Sequence, residues 1–405
     1  MFALFPTDGR PGVPGRRVAV TGLGVVAPCG IGREAFWQGL LGPAPEGIRR
    51  VSEFDATAIY GPKELRRVDR FTQFAAVAAA EALDDAGGLD SLSVDPDRAG
   101  VMIGTGIGGI ETIEDQIGVL RDRGARRVTP FLVPMMMGNR AAADVSMRYG
   151  FRGPCEAIVT ACAAGTQSVG AGARLVATGR CDVVFAGSAE AAITDIGMAG
   201  FSNMTALSTS GVSMPFDAHR DGFVMAEGGA VLVLEDMDRA VARGARIYAE
   251  IMGAASTADA HHITAPPPEG SGAVACMEHA LLDAGLAPAS VTHINAHGTS
   301  TPANDLAESV AISKVFGTPG PAVTSIKGIT GHSLGAAGSL EAVALALSIT
   351  HRLIPPTVGL TEQDPDIRLD VVTGSPRSWE PGPALSNSFG FGGHNGTIVM
   401  APAQA

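Results

Sequence analysis

The sequence predicts an α/β fold built as two similar halves, and three observations predict it. Short β-branched runs that end in glycine alternate with stretches of helix formers. The same order of signals starts again near residue 247. Each half also carries one helix that opens on small residues and continues without a polar stripe, "CAAGTQSVGAGARLVATGR" and "GHSLGAAGSLEAVALALSITHR". A helix apolar all round belongs in a core, and small residues let two such helices approach closely, so the pair is expected to pack together at the centre. The halves are placed at 1–246 and 247–405 in one compact body, because no linker rich in proline, serine or charge divides them.

In chain order, "RRVAVTGLGVVAPCG" reads as a buried strand feeding a loop. "RFTQFAAVAAAEALDDAGG" reads as a helix with a glycine stop. "AGVMIGTGIGG", "CDVVFAGSAEAA" and "GGAVLVLEDMD" repeat the strand-to-glycine pattern. The second series opens with "IYAEIMGAASTADAHH", continues through the helix "GAVACMEHALLDAGL" and reaches the strand "VTHINAHGTS".

Composition narrows the class. With 46% hydrophobic and 17% charged residues, the chain can bury a large core and is not disordered. The opening segment has no apolar run of signal-peptide length, and no stretch reaches the roughly 18 uninterrupted apolar residues of a membrane span. Cys29, Cys155, Cys162, Cys181 and Cys276 are scattered without CxxC spacing, so neither disulfides nor a zinc site is expected, and the compartment is read as reducing and cytoplasmic. A net charge of -12 excludes nucleic acid as the main partner. Against that background "KELRRVDR" and "RDRGARR" concentrate Lys63, Arg66, Arg67, Arg70, Arg121, Arg123, Arg126 and Arg127. They suit either docking of an acidic protein or ordinary solvated faces.

Several motifs bear on chemistry. "GTGIGG" follows a strand but is not a full GxGxxG and lacks the later acidic residue, so nucleotide binding is rejected. His261 and His262 are adjacent, without a companion ligand, and read as surface or turn residues. Cys162 in "TACAAGTQ" stands at the expected start of the first buried helix, where the dipole lowers a thiol pKa and small neighbours leave room for a carbonyl. By itself it is equally a core filler. His297 in "NAHGTSTPANDLAE" stands at a strand end, followed by Thr299 and Thr301. Lys327 and His332 in "IKGITGHSLGAAG" precede the second buried helix. "SNSFGFGGHNG" is a glycine-dense turn with Phe389 and Phe391.

In order along the chain, "VTACAAGTQSVGAG", "RDGFVMAEGGAVLVLED", "NAHGTSTPANDLAE", "KGITGHSLGAAGSLE" and "NSFGFGGHNG" resemble the β-ketoacyl-acyl carrier protein synthases, specifically condensing enzymes similar to ketoacyl synthase II. The resemblance implies the thiolase fold, a duplicated, five-layered αβαβα sandwich, and a decarboxylative condensation that lengthens an acyl chain by a malonyl-derived unit in fatty acid biosynthesis. It implies Cys162 as the acyl-accepting nucleophile, His297 and His332 as the histidine pair of elongating synthases, and Lys327 as their electrostatic support. Phe389 is implied as the gate, its backbone N–H joining that of Cys162 as the oxyanion hole. Thr299 and Thr301 match positions that bind a phosphopantetheine arm, while Ile107 and Met137 match positions near the acyl tunnel. Lys63, Arg66, Arg67, Arg126 and Arg127 match positions facing an acidic acyl carrier protein. No cofactor and no metal are implied, the substrates being malonyl and acyl thioesters carried on phosphopantetheine, and the assembly is a homodimer or a heterodimer with a homologous subunit.

This chain departs from the pattern in a shortened segment around "SEFDATAIYGPKELRRVDR", a shortened "LSTSGVSMPFDA" with Met214 where many relatives have arginine, and the run Met135, Met136, Met137 followed by Arg140. A discrete type II polyketide or polyene ketosynthase shares the same triad. A noncatalytic chain-length subunit would lack the nucleophile, and a cysteine hydrolase has less use for two histidines.

Overall fold

In the computed structural model the described residues are 15–403, so the opening segment read for the lack of a signal-like run lies outside them. The first half runs β1 (Val18–Ala27), α1 (Arg70–Asp85), β2 (Ala99–Gly104), α2 (Ile110–Arg123), α3 (Arg140–Tyr149), β3 (Cys155–Glu156), α4 (Ala164–Ala177), β4 (Val183–Glu190), α5 (Asp195–Asn203) and β5 (Gly228–Asp236). The second runs β6 (Ala249–Ala258), α6 (Ser271–Ala284), β7 (His293–Asn295), α7 (Pro302–Phe316), β8 (Ala322–Thr324), α8 (Ala337–His351), β9 (Asp370–Val371), β10 (Ala384–Gly390) and β11 (His394–Ala401).

The strands lie in the order β3–β2–β4–β5–β1 in the first half and β8–β7–β10–β11–β6 in the second, with β9 beyond β8. The pairing senses repeat as well. β2 is parallel to β3 and β4, as β7 is to β8 and β10; β9 is also parallel to β8, while the remaining pairs are antiparallel. β1 and β6 join the two sheets through Val18 with Ile251, Ala19 with Glu250 and Val20 with Ala249.

Five layers follow from what each face must bury. β1 is buried along its whole length, which is why it reads as an apolar run and not as an alternation. Its outer face takes the alanine-rich α1, so closely that a Cβ on Gly24 would stand 1.8 Å from the Ala78 carbonyl oxygen. α6 covers the second sheet in the same way, and α4 and α8 pack against each other between the sheets. Small residues set that central contact: a Cβ on Gly165 would meet Ser339 N at 2.5 Å, and one on Gly338 would meet Thr166 N at 2.5 Å. This is the five-layered αβαβα arrangement of the thiolase fold. Leu334–His351 forms a helical stretch long and apolar enough, by length and composition, to cross a membrane, yet 89% of it is buried inside the protein and it contains Glu341.

Candidate active site

β3 leads into a single 3-10 turn, Ala161–Ala163, before α4 begins. Ala161 takes a left-handed φ of 49°, and this sharp entry sets Cys162 at the head of the buried helix, 7% exposed. Its Sγ lies 3.1 Å from His332 Nε2. The backbone N–H groups of Phe391 and of Cys162 itself are directed at the sulfur. Gly390 permits this approach, since a Cβ there would stand 3.0 Å from Cys162 N. The second backbone donor is therefore Phe391, not Phe389 as the resemblance implied. Strand β10 ends at Gly390, so the next N–H turns over the cysteine, while the Phe389 ring packs edge-on against His297 with centroids 5.9 Å apart.

His297 follows β7 directly. The Glu308 carboxylate on α7 accepts the N–H groups of His297 and Gly298, each at 2.8 Å. Lys327 Nζ donates to the His297 carbonyl at 2.6 Å, pairs with Glu341 of α8, and stands 3.4 Å from His297 Nδ1. An ammonium has donors only, so Nδ1 presents its lone pair there and the ring proton sits on Nε2. The backbone of His332 is clamped to the Val224–Ala226 segment by bonds of 2.8 Å and 3.0 Å. The two imidazoles meet edge to face with centroids 5.3 Å apart.

Burial, with Lys327 adding to it, holds both histidines well below the ordinary imidazole range, so both rings are neutral. Burial also pushes the Cys162 thiol up to about 12, against the opposing charge of Lys327. The sequence reading expected a thiol lowered by the helix dipole. Burial of the thiolate acts in the opposite sense to that dipole. Burial likewise pushes Glu308 and Glu341 up to about 7.

One ligand atom each from Cys162, His297 and His332 lies within 4.8 Å of the others, a set that a soft divalent cation could use. Ligation needs a bare nitrogen, and Lys327 keeps the proton on the His297 Nε2. That nitrogen is therefore closed to an ion, while His332 Nε2 and Cys162 Sγ are engaged with each other.

A cavity of about 340 Å³ opens from these side chains past Phe223, Thr299, Thr301 and Asn304. The hydroxyls of Thr299 and Thr301 are 2.8 Å apart on its wall. Ile107 and Met137 are not brought to it: they are 40% and 41% exposed and stand outside the cavity of the single chain. Lys63, Arg66, Arg67, Arg126 and Arg127 are all exposed, and the Arg67 guanidinium lies 4.4 Å over the Phe131 ring, bringing the two basic stretches together. Arg70 leaves that group to pair with buried Glu227 at 2.7 Å. Arg140 is held by Asp144, and the Met214 N–H by Ser300. His262 lines the cavity mouth, its Nδ1 accepting the N–H groups of Thr264 and Ala265. The glycine loop after β2 has the N–H groups of Gly106 and Ile107 bound to the Glu190 carboxylate, which leaves them closed to a phosphate.

Sequence reading missed Glu190, Glu308 and Glu341. A lone charge in an otherwise apolar buried helix was the available signal for Glu341. The other two carry none, because their backbone partners are set by the fold.

Residues 45–240 match the β-ketoacyl synthase N-terminal domain and residues 248–361 the C-terminal domain. The 3-oxoacyl-[acyl-carrier-protein] synthase 2 of Synechocystis sp. is 45% identical over 96% of this chain and 99% of its own length. That of Staphylococcus aureus strain COL is 44% identical over the same shares. Among solved structures, a type II polyketide ketosynthase in complex with its acyl-carrier protein, bound to the hexaketide, superposes with a TM-score of 0.89 at 34% identity. The ishigamide ketosynthase/chain length factor gives 0.91 at 33%. Both matches cover 96% of this chain and 100% of the other. A nucleophile-bearing helix head, two neutral imidazoles facing it and relatives of this kind along nearly the full length lead to one conclusion: the chain belongs to the β-ketoacyl synthase family.

Proposed function

We propose that the protein is an elongating 3-oxoacyl-[acyl-carrier-protein] synthase of fatty acid biosynthesis. The observation that carries this is one buried sulfur with two neutral imidazoles on a single cavity wall. A hydrolase needs one base; a decarboxylation needs donors for an enolate.

In the first half-reaction the Cys162 proton passes to His332 Nε2, and the sulfur attacks the acyl thioester. Its carbonyl oxygen takes the N–H groups of Cys162 and Phe391, the carbon–sulfur bond to phosphopantetheine breaks, and the released arm takes the proton. Malonyl thioester then enters along the wall of Thr299 and Thr301. Its carboxylate leaves as carbon dioxide, and the electron pair of the broken bond becomes an enolate held by the His297 Nε2–H. The enolate carbon attacks the acyl group, and Cys162 leaves as a thiolate that takes up a proton from solvent by way of His332 Nε2. Each such donor contributes about 2.7–4 kcal/mol to an oxyanion-like transition state. Bound carrier arms supply all the reacting atoms, so no further cofactor is called for.

We place the enzyme in the cytoplasm as a dimer of two copies. The edge strand β3 is exposed and unpaired on its outer side among the described residues, and exposed Ile107 and Met137 offer apolar surface for a second chain. The exposed basic group around Arg66 and Arg126 suits an acidic carrier protein. A type II polyketide role is the second reading, supported by the solved ketosynthases above. Mass spectrometry of products from malonyl-carrier protein and graded acyl primers tests both. A single two-carbon extension that is then released supports the first, repeated extension without release the second, and no carbon–carbon bond formation overturns both.

A further inference from the structure

The second half repeats the geometry of the Cys162 site. Ser388 of β10 bonds Thr166, four residues beyond Cys162, at 2.8 Å; Ser188 of β4 bonds Ser339, four residues beyond Gly335, at 2.7 Å. Ala161 and Leu334, which precede Cys162 and Gly335, share a left-handed φ of 49°. Gly335 is thus the counterpart of Cys162, and Glu190, two residues beyond Ser188, the counterpart of Gly390. Where Gly390 leaves the Cys162 N–H open to an acyl oxygen, the Glu190 carboxylate occupies the matching space.

That carboxylate is fully buried. One oxygen accepts the N–H groups of Gly106 at 2.6 Å and Gly335 at 3.1 Å; the other accepts the Thr105 hydroxyl at 3.0 Å and the Ile107 N–H at 3.2 Å. The two backbones touch there, since a Cβ on Gly335 would stand 2.1 Å from Gly106 N. One turn further back from Gly335 is His332. Burial pushes Glu190 up to about 7, and its charge acts on Cys162 against that of Lys327.

We propose that Glu190 is a positioning residue: it fills the second half's copy of the oxyanion hole as a built-in anion, and so fixes the turn that follows His332 against the loop that carries Ile107. This rests on the reading of Cys162 and His332 given above. Removing the carboxylate leaves an empty anion cradle of three N–H groups and one hydroxyl, which a small free carboxylate can enter.

The test uses the full-length protein with carrier-bound substrates. Glu190→Ala is expected to lower kcat on the order of 10- to 100-fold with little change in KM, as a misplaced histidine would. Added sodium acetate restores about tenfold or more, and sodium chloride at equal ionic strength does not. In Glu190→Gln, alkylation of Cys162 by iodoacetamide, followed by intact mass, shifts to lower pH because a buried negative charge beside the sulfur is gone. Wild-type kcat in Glu190→Ala, or a loss that acetate leaves unchanged, overturns the proposal. If the alanine variant does not fold, a Glu190→Gln variant with unchanged kcat and alkylation profile does the same. Should the wild type form no carbon–carbon bond, the functional reading fails, whereas the alkylation profile and its response to acetate still report on Glu190.

Discussion

Cys162 combines a reactive position with a raised thiol pKa, and the two are compatible because its proton has an address at His332 Nε2, 3.1 Å away. The free enzyme is therefore expected to be alkylated slowly at pH 7, with a rate that keeps rising through pH 10. A plateau near pH 8 would show a thiol far more acidic than its burial dictates. Lys327→Met removes the charge that favours the thiolate and lowers the alkylation rate at every pH below that range. The histidines divide the chemistry. His297→Ala is expected to cut malonyl decarboxylation by about 10²–10³ while acylation of Cys162 survives, since only the enolate loses a donor. Rapid-quench measurement of carbon dioxide release beside acyl-enzyme mass checks this, and equal loss of both steps counts against it. These four side chains were legible because each stands at a glycine-flanked strand end or helix start. The Phe391 N–H was not, since a backbone donor is chosen by where a strand stops, and Phe389 and Phe391 look alike in sequence.

The pair α4 and α8 shows what an element can and cannot announce. Small residues and the missing polar stripe foretold two packed central helices, because those are the conditions for close approach. The strand order was not readable, as parallel pairing of three-residue strands such as β7 and β8 leaves almost no pattern. A substitution measures the closeness directly. Helix propensity alone would favour Gly338→Ala by about 1 kcal/mol. The new Cβ would meet Thr166 Oγ1 at 2.3 Å and Thr166 N at 2.5 Å, so overpacking of about 1–3 kcal/mol or more prevails. A lower melting temperature with normal far-UV circular dichroism is the expected result.

On the scale of the whole molecule, charge is distributed against the net sign. A chain of net charge -12 keeps Lys63, Arg66, Arg67, Arg126 and Arg127 exposed in neighbouring stretches, and Arg70 shows that not every arginine there is available. Arg66→Glu with Arg67→Glu is expected to raise KM for carrier-bound substrates about tenfold or more at low salt, and to spare small thioester mimics. Equal effects on both substrates would place the patch outside the docking surface. Salt should reproduce the defect in the wild type, because exposed charges are screened.

The repeated strand order has a consequence for how the chain is made. β11 lies between β10 and β6, so an interior strand of the second sheet is made only after all the strands and helices it joins. Until it emerges, α8 has no complete wall to lie against, and an apolar stretch that resembles a membrane span stays uncovered. Synthesis thus passes through a stage in which every element up to β10 exists without a finished core, a stage that calls for chaperone protection. A chain ending at residue 383 should accumulate in the insoluble fraction, whatever the condition of its first half.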